Sequence, residues 1–218
     1  QKKKKYRCGI SWKSKGGLKS EKKNIGIDYL HDIFKLDDIE FFDIQYTEDD
    51  KENLKFKEQN KINFEKPKNL DTYNDIYGLL QFIDSCDFII STSNTNAHLA
   101  AALGKPTLLL LPKEYGRLWY WDSDEDGKNL WYPTIHKFNQ IKQGDWSHPI
   151  LELTKYRQII EAIYENKKKN KSIKSNIPNH DRYIIALIGE QGHRLQRRFR
   201  FNDNQHDITI MNTGPPDP

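Results

Sequence analysis

Cysteine is nearly absent from this chain: 218 residues carry two, Cys8 and Cys86. Neither belongs to a C-x-x-C or paired Cys/His spacing, so no structural zinc site and no disulfide framework is written here. Both abut strand-like apolar residues and read as buried thiols in a reducing, cytoplasmic setting. Long apolar runs are also missing. No stretch reaches the roughly 20 residues that span a bilayer, and no charged-then-apolar leader opens the sequence. Charge of one sign is absent in bulk, with a net formal charge of +4. Lys2 to Lys5 form a basic run, which reads as a solvated tail. Glycine-rich dinucleotide and phosphate-loop signatures do not occur, which excludes the common nicotinamide and P-loop architectures. A first residue that is glutamine, with strand-like sequence from Tyr6, gives the look of a piece cut from a longer protein.

What is present is a clean alternation of strand and helix signals. Arg7 to Trp12 predicts a strand, followed by a turn over Lys13–Gly17. Helical periodicity runs from about Ser20 to Leu36, with Ile25, Tyr29, Leu30 and Ile33 on one face. Ile39 to Tyr46 predicts a strand ending in the acidic loop Glu48-Asp49-Asp50. Lys51 to Asn69 is charged and weakly patterned, and reads as loop with a short strand near Ile62–Phe64. Asp71 is the expected cap of a helix carrying Ile76, Leu79, Leu80 and Ile83. Ile135–Gln140 fits an edge strand, and Pro149 starts a helix through about Lys168. Four or five strands alternating with helices predict an α/β, Rossmann-like doubly wound parallel sheet.

The densest signal lies between Cys86 and Pro106. The apolar Phe88–Ile90 stops in a cluster of hydroxyls and amides, opens into an alanine-rich helical pattern ending at Gly104, and is followed by a second strand, Pro106–Leu111. This is a βαβ unit. Ser93, Asn94, Thr95 and Asn96 are all capping residues. Unpaired amides at a helix N-terminus, at the carboxyl end of a parallel strand, form a site for phosphate. An ordinary N-cap fits the same residues, and both readings stand at this point.

Tyr115 to Trp146 is aromatic, with Trp119, Tyr120, Trp121, Trp131, Tyr132, Phe138 and Trp146, interrupted by an acidic loop at Asp122–Gly127. These rings either line a sugar or base pocket or close one edge of the sheet. Packing is the expectation for most, with Trp131 and Tyr132 favoured for ligand contact. After Lys174 lysine vanishes, and Arg182, Arg194, Arg197, Arg198 and Arg200 carry the later positive charge. Residues 1–175 therefore read as one Rossmann-like domain and 176–218 as a C-terminal extension. His193–Phe201 has the composition of a nucleic-acid contact, but a solvated extension is the preferred reading.

Taken together and in order, several segments resemble the C-terminal half of a GT-B glycosyltransferase. The likeness is to the heptosyltransferase-like domains of glycosyltransferase family 9 that accompany tetratricopeptide repeats. They are Cys8–Ser14, Asp43–Tyr46, the serine–asparagine–threonine run to Ala100, Leu103–Thr107, Trp119–Trp121, Trp131–Thr134 and Gly144–Trp146. The resemblance covers about residues 6–168 and not the extension. It implies a domain that binds the diphosphate of a nucleotide-sugar donor without a required metal or other cofactor. Acceptor and general base would lie on an N-terminal half. Ser11 and Lys13 would face the diphosphate, Ser93, Asn94, Thr95 and Asn96 would hold the phosphates, and His98 would reach phosphate or sugar. Lys13 and His98 are the catalytic candidates. Heptosyltransferases commonly show Asp-Thr where Ser93-Asn94 stands here, which fits the repeat-associated relatives and removes the argument for a heptose donor. A non-catalytic binding or scaffold module that kept the half-fold is the alternative.

Overall fold

The computed structural model describes residues 5–15, 20–46 and 50–155, together with two short backbone segments at 199–200 and 207–208. The expected continuation of the last helix to Lys168, and the extension at 176–218, lie outside the described residues apart from those two segments. Phe199–Arg200 and Asp207–Ile208 pair antiparallel.

Five parallel strands form one sheet in the order β2-β1-β3-β4-β5. They are β1 (Tyr6–Ser11), β2 (Ile39–Asp43), β3 (Phe88–Thr92), β4 (Thr107–Leu111) and β5 (Ile135–Asn139). β3 and β4 are buried along their whole length, as strands covered on both faces must be. The pleat sorts their side chains. Cys8, Ile10, Trp12, Phe88, Ile90, Leu108 and Leu110 enter one core. Ile89 faces the opposite layer with Leu79, Leu80, Ile83 and Leu99. α2 (His31–Phe34), α3 (Asp50–Asn60) and α6 (Ser147–Lys155) supply the first layer through Phe34, Phe56 and Ile150; α4 (Ile76–Ser85) and α5 (Thr95–Ala102) supply the second. Gly9 permits this closeness on β1: a Cβ there would lie 2.8 Å from Ile89 Cδ1.

One further rung extends the β2 edge, where Glu65 bridges Phe42 in parallel. Counting that rung, the sheet order by sequence becomes 3-2-1-4-5-6, that of a dinucleotide-type Rossmann sheet. No helix among the described residues is long and apolar enough to cross a membrane.

Several local expectations change. The single helix over Ser20–Leu36 is broken into α1 (Ser20–Lys23), a 3-10 turn at Ile27–Leu30, and α2. Gly26 is extended, and Ile25 N–H donates to Trp12 O instead of continuing a helix. Ile25, Leu30 and Ile33 are buried as expected, but Tyr29 is exposed. Residues expected as loop form α3, a helix whose buried contacts are mainly Phe56 and Asn53. The short strand near Ile62–Phe64 reduces to the Glu65 rung. The cap of α4 is Asp75, which accepts from Gly78 N–H, whereas Asp71 organises the preceding turn by accepting from the amides of Tyr73 and Asn74.

The βαβ unit read from the sequence is present, and α5 ends as Gly104 foretells. Gly104 (φ +68°) donates to Ala101 O and Lys105 N–H to Ala100 O. That bond pair is a Schellman stop, which needs the left-handed residue that glycine supplies.

Candidate functional site

Strand order reverses between β1 and β3, because one connection leads outward to β2 and the next crosses to β3's side. Open α/β sheets bind ligands outside the carboxyl ends of the strands at such a crevice. Two turns meet there, the one after β1 at Ser11–Lys15 and the one after β3 at Ser93–Asn94.

A single side chain joins them. Asn94, the N-cap of α5, donates from Nδ2 to Ser11 Oγ (2.6 Å) and Lys13 O (3.0 Å). Its Oδ1 accepts from Ser91 Oγ (3.0 Å), Asn96 N–H (3.0 Å) and Ala97 N–H (3.4 Å). The amides of Asn96 and Ala97 are therefore not the unpaired donors expected from the sequence; the cap's own oxygen occupies them. Thr95 stands exposed at the head of the helix.

The remaining predicted residues divide sharply. Ser11, Ser93 and Asn96 are buried. Ser93 Oγ accepts from Trp121 Nε1 at 2.8 Å, so it is committed to the aromatic turn at Trp119–Trp121. Asn96 Nδ2 donates to Ile44 O (2.8 Å), while its buried Oδ1 has no hydrogen-bond partner among the described residues. Gln45 Nε2 at the end of β2 is orphaned likewise. Lys13 Nζ is bonded to Glu52 Oε2 of α3, and its amide to Gln45 Oε1 at 2.6 Å.

His98 lies one turn into α5 in an aromatic enclosure. It stacks on Trp121 (4.4 Å between centroids, 25° between planes) and meets Tyr120 edge-on at 4.8 Å. Its Nδ1 lies 3.1 Å from Tyr132 Oη. Burial, and secondarily the Lys23 cation, push its pKa down from 6.5 to about 4. Of the two aromatics favoured for ligand contact, Tyr132 is half-buried against His98, and Trp131 is exposed beside Trp119 with centroids 6.0 Å apart. Tyr120 and Trp121 are packed inside as expected, whereas Trp119, also expected to pack, is exposed.

Lys23 was not singled out by the sequence reading, yet it is only 3% exposed and its charge acts on His98. Thr92 Oγ1 at the end of β3 donates to Lys23 O at 2.5 Å, which ties α1 to the same crevice. The run Glu21-Lys22-Lys23 looks solvated. The chain leaves the helix after Lys23, so no helical spacing in the sequence marks this lysine as buried.

No three His, Cys, Asp or Glu side chains converge as a metal site among the described residues. Cys8 and Cys86 are buried free thiols, and burial pushes both well above the usual thiol range, Cys86 to about 11. Comparison of the chain with protein-family models, curated proteins and solved structures returns no match.

The His98 environment carries a pH signature. Above the unfolded value near 6.5 both states hold a neutral ring, and the full stability is present. As pH falls from 6.5 toward 4 the unfolded chain binds a proton that the folded chain refuses, so stability drops, by about 3 kcal/mol across the window. Urea unfolding at pH 7 and pH 4.5 should show this loss, and His98→Gln should flatten it. Equal pH dependence in the two proteins would remove His98 as its source.

Proposed function

We propose that this chain is the donor-binding half of a GT-B glycosyltransferase of the heptosyltransferase-like kind, holding the diphosphate of a nucleotide sugar at the β1/β3 crevice. The observation that carries this reading is the Asn94 bridge. It binds the two strand-end turns into one polar surface at the switch point, with Lys13, Lys23 and His98 around it. A diphosphate seated there meets the positive end of α5 and two lysines, the groups that stabilise charge on a departing nucleoside diphosphate. No metal or other cofactor is needed in this scheme. Acceptor and general base belong to the other GT-B half, and tetratricopeptide repeats are the expected neighbours.

Titration calorimetry with ADP-, GDP- and UDP-sugars tests the reading. Saturable binding to one of them is expected, and binding to none would overturn it. Lys13→Ala and His98→Ala should each weaken binding. Glu52→Gln should tighten it about two- to five-fold by releasing Lys13 from a partly exposed ion pair. Unchanged affinity in both Lys13→Ala and Glu52→Gln would remove Lys13 from the site.

A specific observation favours the second reading, a scaffold module without transfer activity. The Asn96 and Ala97 amides and the Lys13 ammonium all have internal partners. In that case the three titrations are silent while the fold is intact.

A further inference from the structure

His98 can serve a ligand in two opposite ways, and the choice lies in which ring nitrogen holds the hydrogen. Its Nδ1 faces the phenol of Tyr132 at 3.1 Å. The turn that carries this phenol is well fixed. Asn129, which is buried, accepts from the amides of Trp131 (3.0 Å) and Tyr132 (2.8 Å) through Oδ1. Its Nδ2 donates to Tyr120 O (3.0 Å) and Asp122 O (3.1 Å). One amide thus staples the Tyr132 turn to the aromatic turn on which His98 stacks.

We propose that Tyr132 is a positioning residue: its hydroxyl donates to His98 Nδ1, fixes the tautomer with hydrogen on Nε2, and makes His98 a neutral donor toward a bound ligand instead of a proton acceptor. The direction of the bond follows from hydrogen inventory. The phenol carries one hydrogen, and His98 Nδ1 is its hydrogen-bond partner among the described residues. Were the imidazole the donor, both the phenol hydrogen and the Nε2 lone pair would lack a protein partner among the described residues; with the phenol as donor only the Nε2 hydrogen does. Burial also raises the Tyr132 pKa above its usual value, so the phenol keeps its proton at physiological pH. Among the described residues the ionisable groups against the ring are Tyr132 and Tyr120, with the Lys23 cation acting on it electrostatically, and none of these is a carboxylate that would favour imidazolium.

What the Nε2 hydrogen meets rests on the diphosphate reading above; the tautomer does not. Long-range proton–nitrogen NMR on the full chain labelled with 15N-histidine reads it directly, with His98 assigned among the seven histidines by its loss in His98→Gln. The expected spectrum shows a protonated Nε2 and an unprotonated Nδ1 at pH 7, shifting toward a tautomer mixture in Tyr132→Phe. In the same variant, affinity for the nucleotide sugar bound by the native protein should fall about five-fold, one neutral hydrogen bond. A protonated Nδ1 in the native protein, or nitrogen shifts unmoved in Tyr132→Phe, overturns the proposal. If the spectrum is as expected while every nucleotide titration is silent, the assignment of Tyr132 stands and the diphosphate reading falls.

Discussion

Trp121→Ala is expected to lower folding stability by about 3–5 kcal/mol, the range for emptying a buried aromatic site. The ring is fully buried, stacks on His98, meets Tyr120 at 5.0 Å and donates from Nε1 to Ser93 Oγ. It is the plug between the aromatic turn and the first turn of α5. Removing it leaves the Ser93 hydroxyl without that donor and opens a void beside a neutral histidine. Trp121→Phe keeps most of the packing and gives up the hydrogen bond, for which about 1 kcal/mol is expected plus a smaller packing loss. Urea unfolding followed by circular dichroism separates the two variants. A Trp121→Ala protein within about 1 kcal/mol of the native one would mean the turn is not part of the cooperative core.

Asn94→Ala should produce the second large effect. The substitution deletes the α5 cap, worth about 1 kcal/mol. It also leaves the Ser11 hydroxyl without its buried partner, at about 1–3 kcal/mol, whereas Ser91 Oγ still has Thr92 O at 2.8 Å. The expected loss is therefore about 2–4 kcal/mol, accompanied by weaker nucleotide binding as the two turns uncouple. Asn94→Asp is the informative partner. It keeps an oxygen to cap the helix but sets a second oxygen against Lys13 O, where Nδ2 now donates. Capping alone predicts near-native stability for Asp; the bridge predicts an intermediate loss. Equal stability of Asp and native proteins, measured as denaturation midpoints, would reduce Asn94 to an ordinary cap.

How much of this was legible in the sequence depends on how local the cause is. The β3–α5–β4 unit could be read closely because its signals are local: caps before the helix, glycine after it, apolar runs on either side. The parallel sheet followed from alternation; its strand order, and with it the switch point, did not. The break in the Ser20–Leu36 segment was hidden because its cause is tertiary: Ile25 N–H goes to Trp12 O and Asn24 Oδ1 takes the Ser14 amide. Helix α3 was missed because it lacks an apolar stripe, so periodicity had nothing to report. At the site, residue types were readable and partners were not. Nothing in Ser93-Asn94-Thr95-Asn96 tells that Ser93 is spent on an indole 28 positions later, or that Asn94 reaches back to Ser11. Lys23 stayed unseen because a lysine-rich surface run and one buried lysine look alike in composition.

The solitary rung at Glu65 bears on how this molecule behaves at high concentration. Outward-facing groups on β2 would otherwise offer a ladder to another chain. Phe41 O and Asp43 N–H are taken by Glu65, and Ile39 N–H by Leu36 O. Lys66, Pro67 and Lys68 follow immediately, placing two like charges and an amide without hydrogen where a neighbour's backbone would have to dock. That flank of the sheet is partly covered, so strand-to-strand pairing with another chain is disfavoured from this side.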